Sequence, residues 1–189
     1  MIKIGILGDI GSGKSYAAEH FGYPVFNADI EVGKLYKKDR KIFNKLKKTL
    51  PKYIYSFPLK KSEISNAILA NKPNLKKIIA IVHPEIRKRM NIFLKKNVNK
   101  KILILDIPLL LENKINKKND ILIFVQSKKL DVLKRLKKRK NFNPKLLGKF
   151  KNIQLPLDYK KKKSQFTIKN NFTNKSVNKS INKILKDIL

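Results

Sequence analysis

The chain has 189 residues, of which 46 are Lys or Arg and 13 are Asp or Glu, giving a formal charge of +33. It has no cysteine and two histidines, His20 and His83, which removes disulfides, thiolate metal sites and cysteine nucleophiles and leaves little material for a histidine metal centre. With 42% hydrophobic residues, no apolar run near the roughly 18 residues of a membrane span, and Met1 leading into a strand-like segment without a secretion-signal layout, one cytosolic globular domain over residues 1–189 is expected.

Residues 2–7 form an apolar, β-branched run ending at Gly8 and read as a buried strand. Residues 13–21 are helical in character, and Gly22 and Pro24 end them before a short strand at Val25 and Phe26. Residues 30–50 read as one helix stopped by Pro51, followed by a loop over 53–58. Ser62 is placed to cap a short helix through Leu69, and Asn74 a longer one interrupted near His83-Pro84. Residues 102–105 and 121–125 are unbroken apolar runs of the kind found in parallel sheets covered on both faces. Ser127 stands at the N-cap position of a helix carrying Leu130, Leu133 and Leu136, and Asn143-Pro144 opens another. Residues 166–168 make a last strand, and Val177, Ile181, Ile184, Leu185 and Ile188 give the final helix one apolar face. Strands alternating with helices predict an α/β fold with a mostly parallel sheet.

The first turn carries the strongest chemical signal. Gly8-Asp9-Ile10-Gly11-Ser12-Gly13-Lys14-Ser15 matches G-x-x-x-x-G-K-[ST], directly after a strand and directly before a helix. Glycines let the backbone curl until successive N–H groups face phosphate oxygens, and the helix start adds its positive dipole end. Lys14 is expected to reach the β- and γ-phosphates, and the Ser15 hydroxyl to ligate Mg2+. A carboxylate inside such a loop is unfavourable beside polyphosphate, so Asp9 is expected to point outward. Nucleoside triphosphate binding follows from the loop; the choice among kinase, hydrolase and switch protein does not.

Phosphoryl transfer to a hydroxyl calls for a group that accepts the proton and aligns the oxygen. Asp29 lies just after the short second strand, and Asp106 ends the strand over 102–105, where it could hold Mg2+ through water; Glu112 follows. In a parallel sheet the carboxyl ends of the strands line the ligand crevice. A helix cap is the alternative role for Asp29.

These motifs, together with His83-Pro84, Asp106-Ile107-Pro108-Leu109-Leu110-Leu111-Glu112-Asn113 and Arg135-Leu136-x-x-Arg139, resemble the dephospho-CoA kinase family in order and separation. The likeness continues through Gln154, Leu157, Lys160, Ile168 and Asn170 and covers nearly the whole chain. It implies a P-loop kinase with a parallel-sheet core, a helical lid near residues 139–155 and a helical acceptor-binding insertion around 53–97. It also implies ATP and Mg2+ as cofactors and transfer to the ribose 3′-hydroxyl of dephospho-CoA, the last step of coenzyme A synthesis. By the same resemblance Asp29 is the base, Lys14 and Arg139 act in transfer, and His83, Asp106, Pro108, Leu109 and Glu112 shape the acceptor site. Gly8, Gly11, Ser12, Gly13, Lys14, Ser15, Tyr16, Arg135, Arg139 and Asn170 fall on the nucleotide side.

Several positions depart from the family pattern. Asn27 replaces its usual first acid before Ala28-Asp29, Asp9 a common glycine, Lys60-Lys61 an Asp-Arg pair, Lys140 a frequent acid and Ser164-Gln165 a typical Ala-Asp. Of the basic residues 41 are lysine and five arginine, beside 25 Ile and 19 Asn, three residue types that share A- and T-rich codons. Base-reading surfaces draw on arginine and aromatics, so the excess lysine reads as compositional and no specific nucleic-acid partner is expected. Its field still attracts phosphorylated substrates. A nucleoside or nucleotide kinase, or a degenerate P-loop protein binding nucleic acid through its lysines, are the alternatives, and a monomer or weak homo-oligomer is expected.

Overall fold

The computed structural model describes residues 1–140 and 142–189, and they divide into two units. The first comprises Met1–Asn27, Asn97–Asn143 and Phe150–Leu189; the second comprises Ala28–Lys96 and Pro144–Lys149. Asn141, within the expected lid, lies outside the described residues.

The first unit holds a sheet of five parallel strands in the order β2-β3-β1-β4-β5. They are β1 (Ile2–Gly8), β2 (Val25–Asn27), β3 (Ile102–Asp106), β4 (Ile121–Gln126) and β5 (Phe166–Lys169). Side-chain alternation divides the core. Ile4, Ile6, Ile102, Ile104, Ile123 and Val125 pack with Ala17, Ala18 and Phe21 of α1 (Lys14–His20) and with Val177, Ile181 and Ile184 of α9 (Asn174–Ile188). On the other parity a Cβ built on Gly5 would stand 2.4 Å from Leu110, so the turn after β3 presses onto the sheet there. The short α8 (Leu157–Lys162) lies near β1 and β4. Coverage of both faces accounts for the unbroken apolar runs.

The second unit is helical: α2 (Ala28–Lys38), α3 (Arg40–Thr49), α4 (Lys61–Ala70) and α5 (Lys72–Lys96), with α2, α3 and α4 all packed on α5. The residues of α7 (Pro144–Lys151) straddle the two units; within the second, Lys149 Nζ donates to Ile68 O and Leu69 O, the last carbonyls of α4.

Four local expectations are corrected. The helix over 30–50 is two, because Asp39 leaves helical geometry and its carboxylate accepts from Ile42 N, capping α3. Ser62 and Asn74 lie inside first turns instead of capping them; the Asn74 amide donates to Ala67 O. Pro84 does not interrupt α5, since Ile78, Val82, Ile86 and Met90 keep one buried stripe across it. Finally, α6 (Lys129–Lys137) is flanked by Lys128 as its N-cap, and Ser127 is used elsewhere.

Candidate active site

Because all five strands run the same way, their carboxyl ends share one edge of the sheet, and β1, β3 and β2 deliver Gly8, Asp106 and Asn27 there. The loop after Gly8 has the strained backbone that its glycines permit. Gly11 and Gly13 have φ of 86° and 89°. A Cβ on Gly13 would fall 2.3 Å from Asn170 Nδ2, so the loop is packed as well as curled. The N-cap residue of α1 is Gly13, which has no side chain to offer the first amides, and N–H groups at a helix start carry partial positive charge that phosphate oxygens neutralise. Lys14 Nζ donates to Gly8 O at 3.2 Å and Asp9 O at 2.8 Å, which holds the ammonium over the loop. Asp9 turns its carboxylate to Ile10 N and to Lys151 Nζ, 3.6 Å away.

The loop is braced from two distant segments. Ser12 is buried, and its carbonyl accepts from Asn170 Nδ2 at 2.8 Å and from Ser127 Oγ at 2.9 Å. Ser127 therefore ties the end of β4 to the phosphate loop, a role that its cap-like position in the sequence concealed. Asn170 Oδ1 in turn accepts from Phe172 N, and the Phe172 ring lies 4.3 Å from the Arg135 guanidinium carbon. Arg139 is exposed in the turn after α6. Tyr16, facing α9, donates its hydroxyl to Asn174 Oδ1 and stacks on the His20 ring.

Asp106 is buried at the end of β3, and Asn27, its register partner on β2, donates to it through Nδ2 at 2.8 Å. Among the described residues no group of three or more His, Asp or Glu is arranged as a metal cage. The exposed Ser15 hydroxyl and the Asp106 carboxylate are nevertheless hard oxygen donors, the chemistry that suits Mg2+ shared with phosphate oxygens and water.

Pro108 and Leu109 are half-buried in the turn after β3, anchored by the fully buried Leu110. The Glu112 carboxylate accepts from Lys160 Nζ at 2.7 Å and from Leu155 N at 2.9 Å, and Gln154 Oε1 also accepts from Lys160 at 3.2 Å. Lys160 is only 1% exposed. Gln165, at one of the departures, pairs with both backbone groups of Leu122 and so secures the start of β5.

In the second unit Asp29 is exposed in the first turn of α2, which starts at Ala28; Asp29 is thus inside the helix and not a flanking cap. A carboxylate there is favoured by the helix dipole. His83 is half-buried at the middle of α5. Sequence reasoning missed the Arg89 cluster, in which the guanidinium meets Glu31 at 3.2 Å, Glu85 at 3.7 Å and Asp39 at 3.9 Å. Burial pushes the Glu31 carboxyl up, but bonds and charge from Lys34 and Arg89 outweigh it and leave the group below its usual range. The spacing of Glu85 and Arg89 by four was the available signal.

The family model for dephospho-CoA kinase matches residues 2–176. The dephospho-CoA kinase of Wolbachia sp. subsp. Brugia malayi (strain TRS) is 34% identical over 179 residues, 92% of this chain and 91% of that protein. The dephospho-CoA kinase of Rickettsia conorii (strain ATCC VR-613 / Malish 7) is 31% identical over 191 residues, 100% of this chain and 98% of that protein. Among solved structures, one from Thermus thermophilus superposes with a TM-score of 0.81 at 24% identity, covering 100% of this chain and 97% of that one. The dephospho-CoA kinase from Campylobacter jejuni gives 0.62 at 22% identity, covering 98% of this chain and 96% of that one. These two likenesses show the fold.

Proposed function

The chain belongs to the dephospho-CoA kinase family, whose reaction is the ATP-dependent phosphorylation of dephospho-CoA that completes coenzyme A synthesis, and we propose how its own residues divide that work. The observation that carries the proposal is the parallel-sheet edge, where the phosphate loop, Asp106 and Asn27 end neighbouring strands.

Gly8, Gly11, Ser12, Gly13 and Lys14 hold the triphosphate of ATP, with backbone N–H groups on its oxygens and the Lys14 ammonium offsetting charge on the β- and γ-phosphates. The Ser15 hydroxyl would ligate Mg2+ and Asp106 would hold it through water, where the ion would supply neutralisation of phosphate charge. Tyr16, Asn170 and Arg135 serve the nucleotide side, and Arg139 closes on the transferring group. Asp29 accepts the proton from the ribose 3′-hydroxyl and aligns that oxygen for in-line attack. His83, Pro108 and Leu109 shape the acceptor site, and Glu112 holds the turn carrying the last two in place. The acceptor insertion spans about 53–97 and the lid about 139–155.

Among the described residues no helix is long and apolar enough to cross a membrane. We place the reaction in the cytosol, carried out by a monomer or weak homo-oligomer.

The test offers Mg-ATP with dephospho-CoA, nucleosides or nucleoside monophosphates and identifies the phosphorylated product. Conversion of dephospho-CoA at the 3′-hydroxyl is expected, and preference for a nucleoside or nucleotide would overturn the assignment. Lys14→Ala should weaken triphosphate binding itself; unchanged binding would remove the loop from that role.

A further inference from the structure

Phe172 adopts φ of 64°, in the left-handed region that bulky side chains avoid. A glycine would occupy that turn without strain, yet the position carries an aromatic ring. Strain of this kind persists where the surroundings fix it, and it concentrates at functional sites.

The surroundings are specific. Asn170 is buried and bridges Phe172 N to Ser12 O, so the turn after β5 is fastened to the phosphate loop. The ring also lies against that loop: a Cβ built on Gly13 would stand 3.6 Å from Phe172 Cε1. On the ring sits Arg135, from the last turn of α6, at 4.3 Å. Among the described residues Arg135 makes no ion pair.

An arginine meant for phosphate has a conflict. Left loose it is disordered, and held by a carboxylate its donors and charge are already committed. Stacking on an aromatic face resolves this, because the ring attracts the cation through its quadrupole while the in-plane N–H groups keep their directions open.

We propose that Phe172 is a positioning residue that holds the Arg135 guanidinium beside the phosphate loop by stacking, and that its strained backbone is retained because the ring is needed there. This rests on the assignment of Arg135 to the nucleotide side.

The experiment measures steady-state kinetics against each substrate, together with thermal unfolding, for Arg135→Ala, Phe172→Leu, Phe172→Gly, Phe172→Tyr and the double variant Arg135→Ala/Phe172→Leu. Phe172→Leu and Phe172→Gly should each lower kcat/KM for ATP about fivefold, the scale of one cation–π contact, while KM for dephospho-CoA stays put. Phe172→Tyr should restore the wild-type value. Phe172→Gly should unfold at or above the wild-type temperature, since it relieves the strain, and the double variant should be no worse than Arg135→Ala. Normal ATP kinetics in both ring-deleted variants, with Arg135→Ala impaired, would overturn the proposal and leave Arg135 assigned. Loss of kcat/KM for both substrates in parallel with a lowered unfolding temperature in Phe172→Gly would reduce Phe172 to a structural part. Wild-type kinetics in Arg135→Ala would overturn the nucleotide-side assignment, and the positioning role with it.

Discussion

Asn27 donates through its amide to the Asp106 carboxylate at 2.8 Å, across the one register pair that ends both β2 and β3. An acid at position 27 would set two carboxylates against each other where one, Asp106, is already buried. The amide thus holds Asp106 in place while adding no second negative charge beside it. Asn27→Asp should lower the unfolding temperature in metal-free buffer, by roughly 1–3 kcal/mol of stability, through like-charge repulsion and the lost donor. Millimolar Mg2+ should narrow the gap, since a cation can bridge the two acids. Equal unfolding temperatures for both proteins, with or without Mg2+, would mean the amide bond contributes nothing.

Asp29 is exposed in the first turn of α2, two residues after Asn27 in the chain. Replacing it by asparagine keeps size and polarity while removing the carboxylate charge. The variant should fold normally, bind ATP as before, and lose on the order of 10² to 10⁴ in turnover. A near-normal kcat would take Asp29 out of the mechanism.

The phosphate loop, the five strands and the strand-end acids are legible because their information is local: contiguous residues, unbroken apolar runs, and turns set by glycine and proline. What escaped were partnerships across the chain. Ser127 looked like a helix cap because a hydroxyl before a helix usually is one, and its bond to Ser12 joins residues 115 apart. Lys160 was one of 41 lysines, and nothing in composition separates a fully buried ammonium from a solvated one. Pro84 signals a break because local propensity disfavours it in a helix, yet the buried stripe on both sides carries α5 through. Asp39 is the converse case, since apolar periodicity on both sides of it masks its strength as a cap.

Glu63 and Glu31 make the stability of the second unit acid-sensitive. Burial pushes the Glu63 carboxyl up, but bonds from the Ser56 hydroxyl and from the Tyr55 and Ser56 amides, with the Lys60 charge, outweigh it and hold it below its ordinary 4.5. Glu31 is lowered likewise by Lys34 and Arg89. A carboxyl with a lower pKa folded than unfolded contributes stability above the unfolded value and loses it as pH falls through the folded one. Unfolding temperature should therefore drop as the solution is acidified below about 4.5, the ordinary value for both groups. Glu63→Gln should be destabilised at pH 7 and approach wild type at low pH. A gap that stays constant across that range would show that the charge of Glu63 plays no part.

Lys160 and Glu112 pair at 2.7 Å with the lysine 1% exposed, so this ion pair has little water to fall back on. Among the described residues Glu112 Oε2 is buried without a hydrogen-bond partner, and Oε1 already serves both Lys160 and Leu155 N. Removing the cation alone leaves a buried carboxylate uncompensated, so Lys160→Met should cost about 3–5 kcal/mol. The remedy is to neutralise the partner while keeping its acceptor. Lys160→Met/Glu112→Gln should recover most of the loss, because the amide oxygen can still accept from Leu155 N and no lone charge remains. Chemical denaturation of the two variants separates these terms. A double variant as unstable as the single one would mean that the loss comes from the missing bond of the ammonium to Gln154 and not from the lone charge left on Glu112. If the pair instead serves to hold the Pro108–Leu109 turn, the double variant should regain KM for dephospho-CoA along with stability.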